Sequence, residues 1–312
     1  MTLDDELSEI SVVSLEQAVA APYCGLLLAS AGARVIKVER PEGDFARSYD
    51  SGINGKSAIF AWLNRGKESI ALDLKNEKDK YILKKIINRS DIFLSNLTPN
   101  ALKRLELDYE NLEADNPKLI YCNITGYGES EEASTRKAYD MLVQAESGLC
   151  SVTGTEENPS KVGISITDLS TGLTAFSALL RALIQRGKTN KGVQISISMF
   201  DVMADWMNMP LLAYRFMGGA PKRSGLKHTF IAPYGAFTCS DDSQILLSIQ
   251  NNREFSVFCN KVLENKGLSK HPNFSDNPQR YQNRKELDDI ISKSFKKMTR
   301  KQIQDKLNKF GI

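Results

Sequence analysis

One pattern constrains this chain more than any other. Over its first two hundred residues, short β-branched runs alternate with helical stretches. Residues 12–15 (Val-Val-Ser-Leu) read as a strand, followed by a helix over 23–30 with Pro22 at its first position and Gly32 at its end. Residues 34–39 (Arg-Val-Ile-Lys-Val-Glu) form the next strand, which completes a βαβ unit without a GxGxxG fingerprint. Strand signals recur at 69–74, 91–95, 119–124, 162–166 and 193–198. Helical signals fall between them at 76–89, 101–105, 141–150 and 169–186, and another follows at 201–216. Such alternation demands a mostly parallel sheet covered on both faces, a doubly wound α/β fold. In the helix over 169–186, Leu169, Leu173, Phe176, Leu180 and Leu183 mark the inner face, Thr167 or Asp168 supplies the N-cap, and Gly187 ends it.

The Gly/Pro-rich stretch 218–225 reads as a linker between a large domain over 1–217 and a smaller α+β domain over 226–312. A length of 312 residues suits two domains, and 41% hydrophobic with 25% charged residues excludes a disordered or fibrous chain. The net charge of +3 is uneven. Residues 261–312 hold 13 Lys+Arg against 6 Asp+Glu, which read as solvated helix faces without the aromatics that nucleic-acid stacking needs. The acidic start carries no basic signal-peptide region, and the longest apolar stretch, 25–33, is too short to span a bilayer. A cytoplasmic protein with no nucleic-acid or membrane partner is expected. Met203, Trp206, Met207 and Met209 read as core.

The five cysteines are widely spaced with no CxxC pair, and His228 and His271 are the only histidines. Disulfide scaffolds, multi-histidine metal sites and a GxSxG hydrolase elbow are thereby disfavoured. The chemistry must rest on carboxylates, backbone amides and basic groups. Asp168 sits at an expected strand-to-helix junction, where doubly wound folds open their binding crevice. There it could be a plain helix cap or a nucleophile. Lys37, Arg40, Arg104, Arg136 and Lys137 occupy strand ends or loops, where phosphate contacts commonly arise.

Five segments together carry a resemblance. They are Ala-Ala-Pro at 20–22, Gly-Ala-Arg-Val-Ile-Lys-Val-Glu-Arg at 32–40, Leu-Asp-Leu-Lys at 72–75, Ser-Asn-Leu-Thr-Pro-Asn-Ala-Leu-Lys-Arg at 95–104, and Lys-Thr-Asn-Lys-Gly at 188–192. With them the chain resembles the class III CoA-transferases, the group of formyl-CoA transferase, carnitine CoA-transferase and α-methylacyl-CoA racemase, from Val12 to about Arg284. The resemblance implies a Rossmann-like large domain, an interlocked homodimer, and a CoA thioester as cosubstrate with no permanently bound cofactor and no metal. It makes Asp168, in the Gly-x-x-x-x-Asp-x-x-x-Gly setting of 163–172, the nucleophile that passes through an aspartyl anhydride and an aspartyl-CoA thioester. It also implies that Arg40, Arg104 and Lys137 meet the CoA phosphates, that Leu72, Asn96 and Ala101 line the adenine and ribose, and that Ala20 lines the pantetheine path. Val19 stands where formyl-CoA transferases carry glutamine, and Leu97 replaces an aromatic after Asn96.

Tyr139-Asp140 replaces the racemases' His-Asp, and a phenol with a reference pKa near ~10 is a poor carbon base, so racemisation is disfavoured. The surrounding segment resembles members that act on small dicarboxylates. Asp140 is expected to support the site, and His228 to lie near an active-site-facing loop. The expected reaction is CoA transfer between acyl-CoA and a small, dicarboxylic acid. Racemisation, intramolecular CoA transfer or a catalytically impaired CoA-binding remnant are the alternatives. Family members as a rule continue past this point, so the small domain is expected to be cut short on its C-terminal side.

Overall fold

The computed structural model describes residues 5–134 and 136–312. They form two compact units, the first from the described residues up to 150 together with 161–218, and the second from 151–160 and 219–312.

In the first unit the elements run β1 (Ser11–Leu15), α1 (Ala20–Ser30), β2 (Arg34–Glu39), α2 (Ala58–Asn64), β3 (Glu68–Ala71) and α3 (Glu77–Ile87). They continue as β4 (Ile92–Ser95), α4 (Pro99–Arg104), α5 (Tyr109–Asp115), β5 (Ile120–Thr125), α6 (Glu131–Ser134), α7 (Asp140–Glu146) and α8 (Leu149–Val152), the last passing into residues of the second unit. Then come α9 (Ile166–Thr189), β6 (Val193–Ser198), α10 (Met199–Trp206) and α11 (Asn208–Phe216). The six strands lie in the order β3-β2-β1-β4-β5-β6, all parallel, with Val13 opposite Ile36 on one side and Phe93 on the other. β4 and β5 are buried along their whole lengths, as parallel strands covered on both faces must be. This is the doubly wound order, with its switch point between β1 and β4.

Element boundaries depart from expectation in instructive places. Residues 162–166 are not a strand. The Val162 amide donates to the Gln144 side chain and the Ile166 amide to the Ile164 carbonyl, so no ladder can form. Helix α1 begins at Ala20 with Val19 at its N-cap, which puts Pro22 at the third position, where its missing N–H is still harmless. The helix over 141–150 is two short helices broken at Gly148 (φ +87°), and that over 201–216 divides at Met207.

Helix α9 starts with Ser165 as N-cap, so neither Thr167 nor Asp168 caps it, and it runs past Gly187 to stop at left-handed Asn190. Its buried face holds Thr167, Thr171, Gly172, Ala175, Leu179 and Ala182, whereas Leu173 is half exposed. The stripe of large apolar residues is therefore offset from the buried one, because α9 meets α1 through small side chains. A Cβ on Gly172 would stand 2.6 Å from the Ala20 carbonyl oxygen. At its far end Arg186 pairs with Asp91 at 3.0 Å and reaches the carbonyls of Asp91 and Lys118. Met203 is core as expected, but Trp206 and Met209 are exposed, because α10 and α11 turn those faces outward.

The second unit pairs β7 (Tyr234–Thr238) with β8 (Gln244–Ser248) in antiparallel register and adds α12 (Asn252–Val257), α13 (Asn277–Gln282), α14 (Arg284–Phe295) and α15 (Arg300–Lys309). Its core is separate and aromatic, built on Phe237, Phe255, Phe258, Phe274 and Phe295. Buried Arg280 ties it together through the Ala232 and Phe274 carbonyls, Asn252 Oδ1 and the Phe255 ring at 4.4 Å.

Candidate active site

The loop after β1 and the loop after β4 meet at the switch point. Asn96 accepts from the Gln17 amide at 3.0 Å and donates to the Gln17 carbonyl at 2.8 Å. Asp44 Oδ1 accepts from the Ala18 amide at 3.2 Å, and Ala18 adopts φ +66°, a conformation that a non-glycine residue holds only under constraint. Lys37 adds a bond to the Glu16 carbonyl at 3.3 Å. Three side chains thus clamp residues 16–18, and helix α1 starts from that clamp.

The charges behind the loop are buried and compensated. Lys37 Nζ lies 2.9 Å from Asp44 Oδ2 and 3.7 Å from Glu16 Oε1, which Lys67 meets at 2.5 Å. Burial alone would raise the Glu39 pKa. Hydrogen bonds from Arg47, the Asp44 amide and Ser69 outweigh it and bring Glu39 down to about 2.

Two cavities open beside this loop, both within the first unit. One, of about 320 Å³, is lined by Arg40, Gly43, Leu72, Lys75 and Leu97 among others. The second, of about 330 Å³, is lined by Gln17, Ala20, Phe45, Tyr49, Asn96, Leu97, Arg136, Lys137, Tyr139, Asp140 and Asp168. Asp168 is the third residue of α9, one turn inside the N-cap. Desolvation first, and the Asp140 charge second, raise its pKa from 3.8 to about 7. Its carboxylate is therefore unusually basic, which makes it a better nucleophile once ionised.

Asp140 faces the start of α9. Its Oδ1 accepts from the Thr167 amide at 2.8 Å and the Asp168 amide at 3.3 Å, which supplies the cap that the Ser165 side chain does not. Tyr139 is exposed at the cavity rim. Tyr49 has its pKa pushed up to about 12, by burial first and then by the charges of Asp44, Asp168 and Tyr139, so its hydroxyl keeps its proton.

Some expected contacts fall elsewhere. Among the described residues, Val19, Ala101 and Arg104 lie outside the linings of both cavities, with Val19 buried at the start of α1 and Arg104 exposed in the last turn of α4. Asn96 lines the second cavity, but both ends of its carboxamide hold Gln17. His228 belongs to the second unit. Its Nδ1 accepts from the Phe230 and Ile231 amides, and its ring stacks on Tyr234 at 5.0 Å. Burial and Arg284 lower its pKa, so the neutral ring is favoured. Sequence reasoning missed Gln17, Phe45, Tyr49 and Gln144. The charged segment Glu39–Asp44 between β2 and the next helical turn was the one available signal.

No helix among the described residues is long and apolar enough to cross a membrane, and no cluster of three or more His, Cys, Asp or Glu among them could hold a metal ion. The model of CoA-transferase family III matches residues 7–312. The chain is 36% identical over 292 residues to succinyl-CoA:glutarate CoA-transferase of Mus musculus, covering 93% of this chain and 66% of that one. It is 33% identical over 304 residues to acetyl-CoA:oxalate CoA-transferase of Acetobacter aceti, covering 96% and 78%. A CAIB/BAIF family protein from Brucella suis has a similar structure, with TM-score 0.84, 33% identity, and coverage of 99% of this chain and 83% of that one. The chain thus spans a little under two thirds of the length of the Mus musculus and Homo sapiens succinyl-CoA:glutarate CoA-transferases, and it belongs to CoA-transferase family III.

Proposed function

We propose that the protein transfers CoA between an acyl-CoA and a small dicarboxylate, with Asp168 as the nucleophile. The observation that carries this reading is Asp168 itself, at the start of α9 in a cleft of about 330 Å³, with its pKa raised to about 7. The ionised carboxylate attacks the thioester carbonyl, the C–S bond breaks, and CoA leaves as the thiolate with an aspartyl anhydride remaining. The thiolate then attacks the aspartyl carbonyl of that anhydride, which frees the donor acid and leaves an aspartyl-CoA thioester. The acceptor carboxylate attacks this thioester, and the thiolate returns to the acceptor carbonyl to regenerate Asp168. Each step exchanges acyl groups of similar energy between oxygen and sulfur, so the sequence calls for no ATP and no permanently bound cofactor.

Arg40, Leu72 and Leu97 in the neighbouring cavity suit the nucleotide end of CoA, and Lys137 offers a cation to its phosphates. Dicarboxylates are favoured because relatives carry glutarate and oxalate in their names. The exposed apolar residues Trp206, Met209, Leu211, Leu212, Tyr214 and Phe216 of α10 and α11 support a homodimer, which sedimentation would reveal. Five unpaired cysteines are consistent with a reducing, cytoplasmic setting.

The decisive experiment incubates the protein with succinyl-CoA and a panel of oxalate, glutarate, malate and mesaconate, and follows new CoA esters by mass. Hydroxylamine should trap the acyl-enzyme at Asp168. Exchange that persists in Asp168→Ala would sink the mechanism.

A further inference from the structure

Gln144 is fully buried on α7. A buried carboxamide is costly unless its donors and acceptor are used. Its Nε2 donates to Asp140 Oδ2 at 2.7 Å, and its Oε1 accepts from the Val162 amide at 2.9 Å. Asp140 Oδ1 points the other way, onto the amides of Thr167 and Asp168. A continuous relay therefore runs from Val162 through Gln144 and Asp140 to the first turn of α9. It brackets the loop 163–165, whose last residue makes no side-chain cap of its own.

We propose that Gln144 is a positioning residue for Asp168: it holds Asp140 against the first turn of α9 and, through Val162, fixes the loop that leads into that turn. The inference rests on Asp168 being the reacting carboxylate. The chemistry of the relay is directional. Both Asp140 carboxyl oxygens accept hydrogen bonds and the Val162 N–H only donates, so the group between them must donate at one end and accept at the other. A carboxamide does this at any pH, and a carboxyl group does so only when protonated.

Two substitutions use that asymmetry. Gln144→Met keeps the volume and loses both bonds. Gln144→Glu keeps the acceptor but, when ionised, sets a carboxylate against Asp140. Asp140 on its own helix is the charged partner of Gln144, Asp168 lies in the first turn of α9 that Asp140 caps, and Asp201 and Asp205 of the neighbouring α10 are exposed. In Gln144→Met, kcat should fall about tenfold or more with KM for the acyl-CoA nearly unchanged, as expected of a displaced nucleophile. The Val162 and Thr167 amides should exchange with deuterium about tenfold faster, the signature of local opening. Gln144→Glu should match that loss at about pH 8 and recover relative to wild type as the pH falls to about 6, as its carboxyl regains the donor.

Unchanged exchange at those amides, or an unchanged kcat, overturns the proposal. If Gln144→Met does not fold, Gln144→Glu decides, and no recovery on acidification overturns it. Should Asp168→Ala keep full transfer activity, the functional reading fails, whereas the deuterium comparison still decides whether Gln144 holds the turn.

Discussion

The first unit buries carboxylates in two ways. Behind the β1 loop, Glu39, Asp44 and Glu16 each meet a cation or a set of donors, and Glu39 is held down at about 2. At the start of α9, Asp168 has another carboxylate for its neighbour, and its pKa is pushed up to about 7. Both regions are largely shut from water, so burial alone does not separate them. What differs is compensation: the first set is paired with cations and donors and holds a loop, whereas the second is left basic, as the nucleophile proposed here needs to be. A buried charge is therefore informative only together with its partners.

The largest effect expected from breaking this contrast is at the uncompensated site. Asp168→Ala should lower CoA exchange by at least about a thousandfold while CoA binding, measured by calorimetry, persists. Next, Lys37→Met should destabilise the unit by roughly 3–5 kcal/mol in urea unfolding, because Asp44 would be left buried without its cation. Gly172→Ala should cost about 1–3 kcal/mol in the same measurement, since the added methyl meets the Ala20 carbonyl and forces α1 and α9 apart.

A smaller effect concerns pH. The rate of acyl-enzyme formation should rise through about pH 7 as Asp168 ionises, and Asp140→Asn should move that limb to lower pH by removing the repulsion. The sign for stability follows from the same shift. A carboxyl whose folded pKa lies above its unfolded value binds its proton more tightly when folded, so stability falls as pH rises from about 4 to about 7. Asp168→Asn removes that loss and should raise Tm by a few degrees at pH 8, opposite in sign to Lys37→Met. An unchanged or lower Tm would mean that Asp168 is compensated after all.

The alternation of strands and helices was legible because its signal is local. β2 and β6 have the ends expected of them, and β1, β4 and β5 differ from expectation by no more than a residue at either end. Asp168 was legible through its motif, and its placement in the cleft fits the role inferred for it. The clamp on residues 16–18 was not, because Asp44 and Asn96 reach it across 26 and 79 residues of chain. The inner face of α9 was misjudged for a different reason. Large apolar residues dominate a periodicity count, yet the close approach to α1 needed Gly172 and Ala175. Gln144 looked like an ordinary polar residue in a short helix, and only its two partners distinguish it.

Helix α9 is about 36 Å long at the usual rise for its 24 residues. One end carries Asp168 and is held by Asp140, and the other is anchored by Arg186 to the residues that lead into β4 and β5, at the opposite end of those strands. Mechanically it is a beam fixed at both supports. The Asp168 carboxylate has little freedom to travel, so on the proposed mechanism the successive acyl groups are brought to it, and accommodation of acids of different length falls to the rim of the cleft.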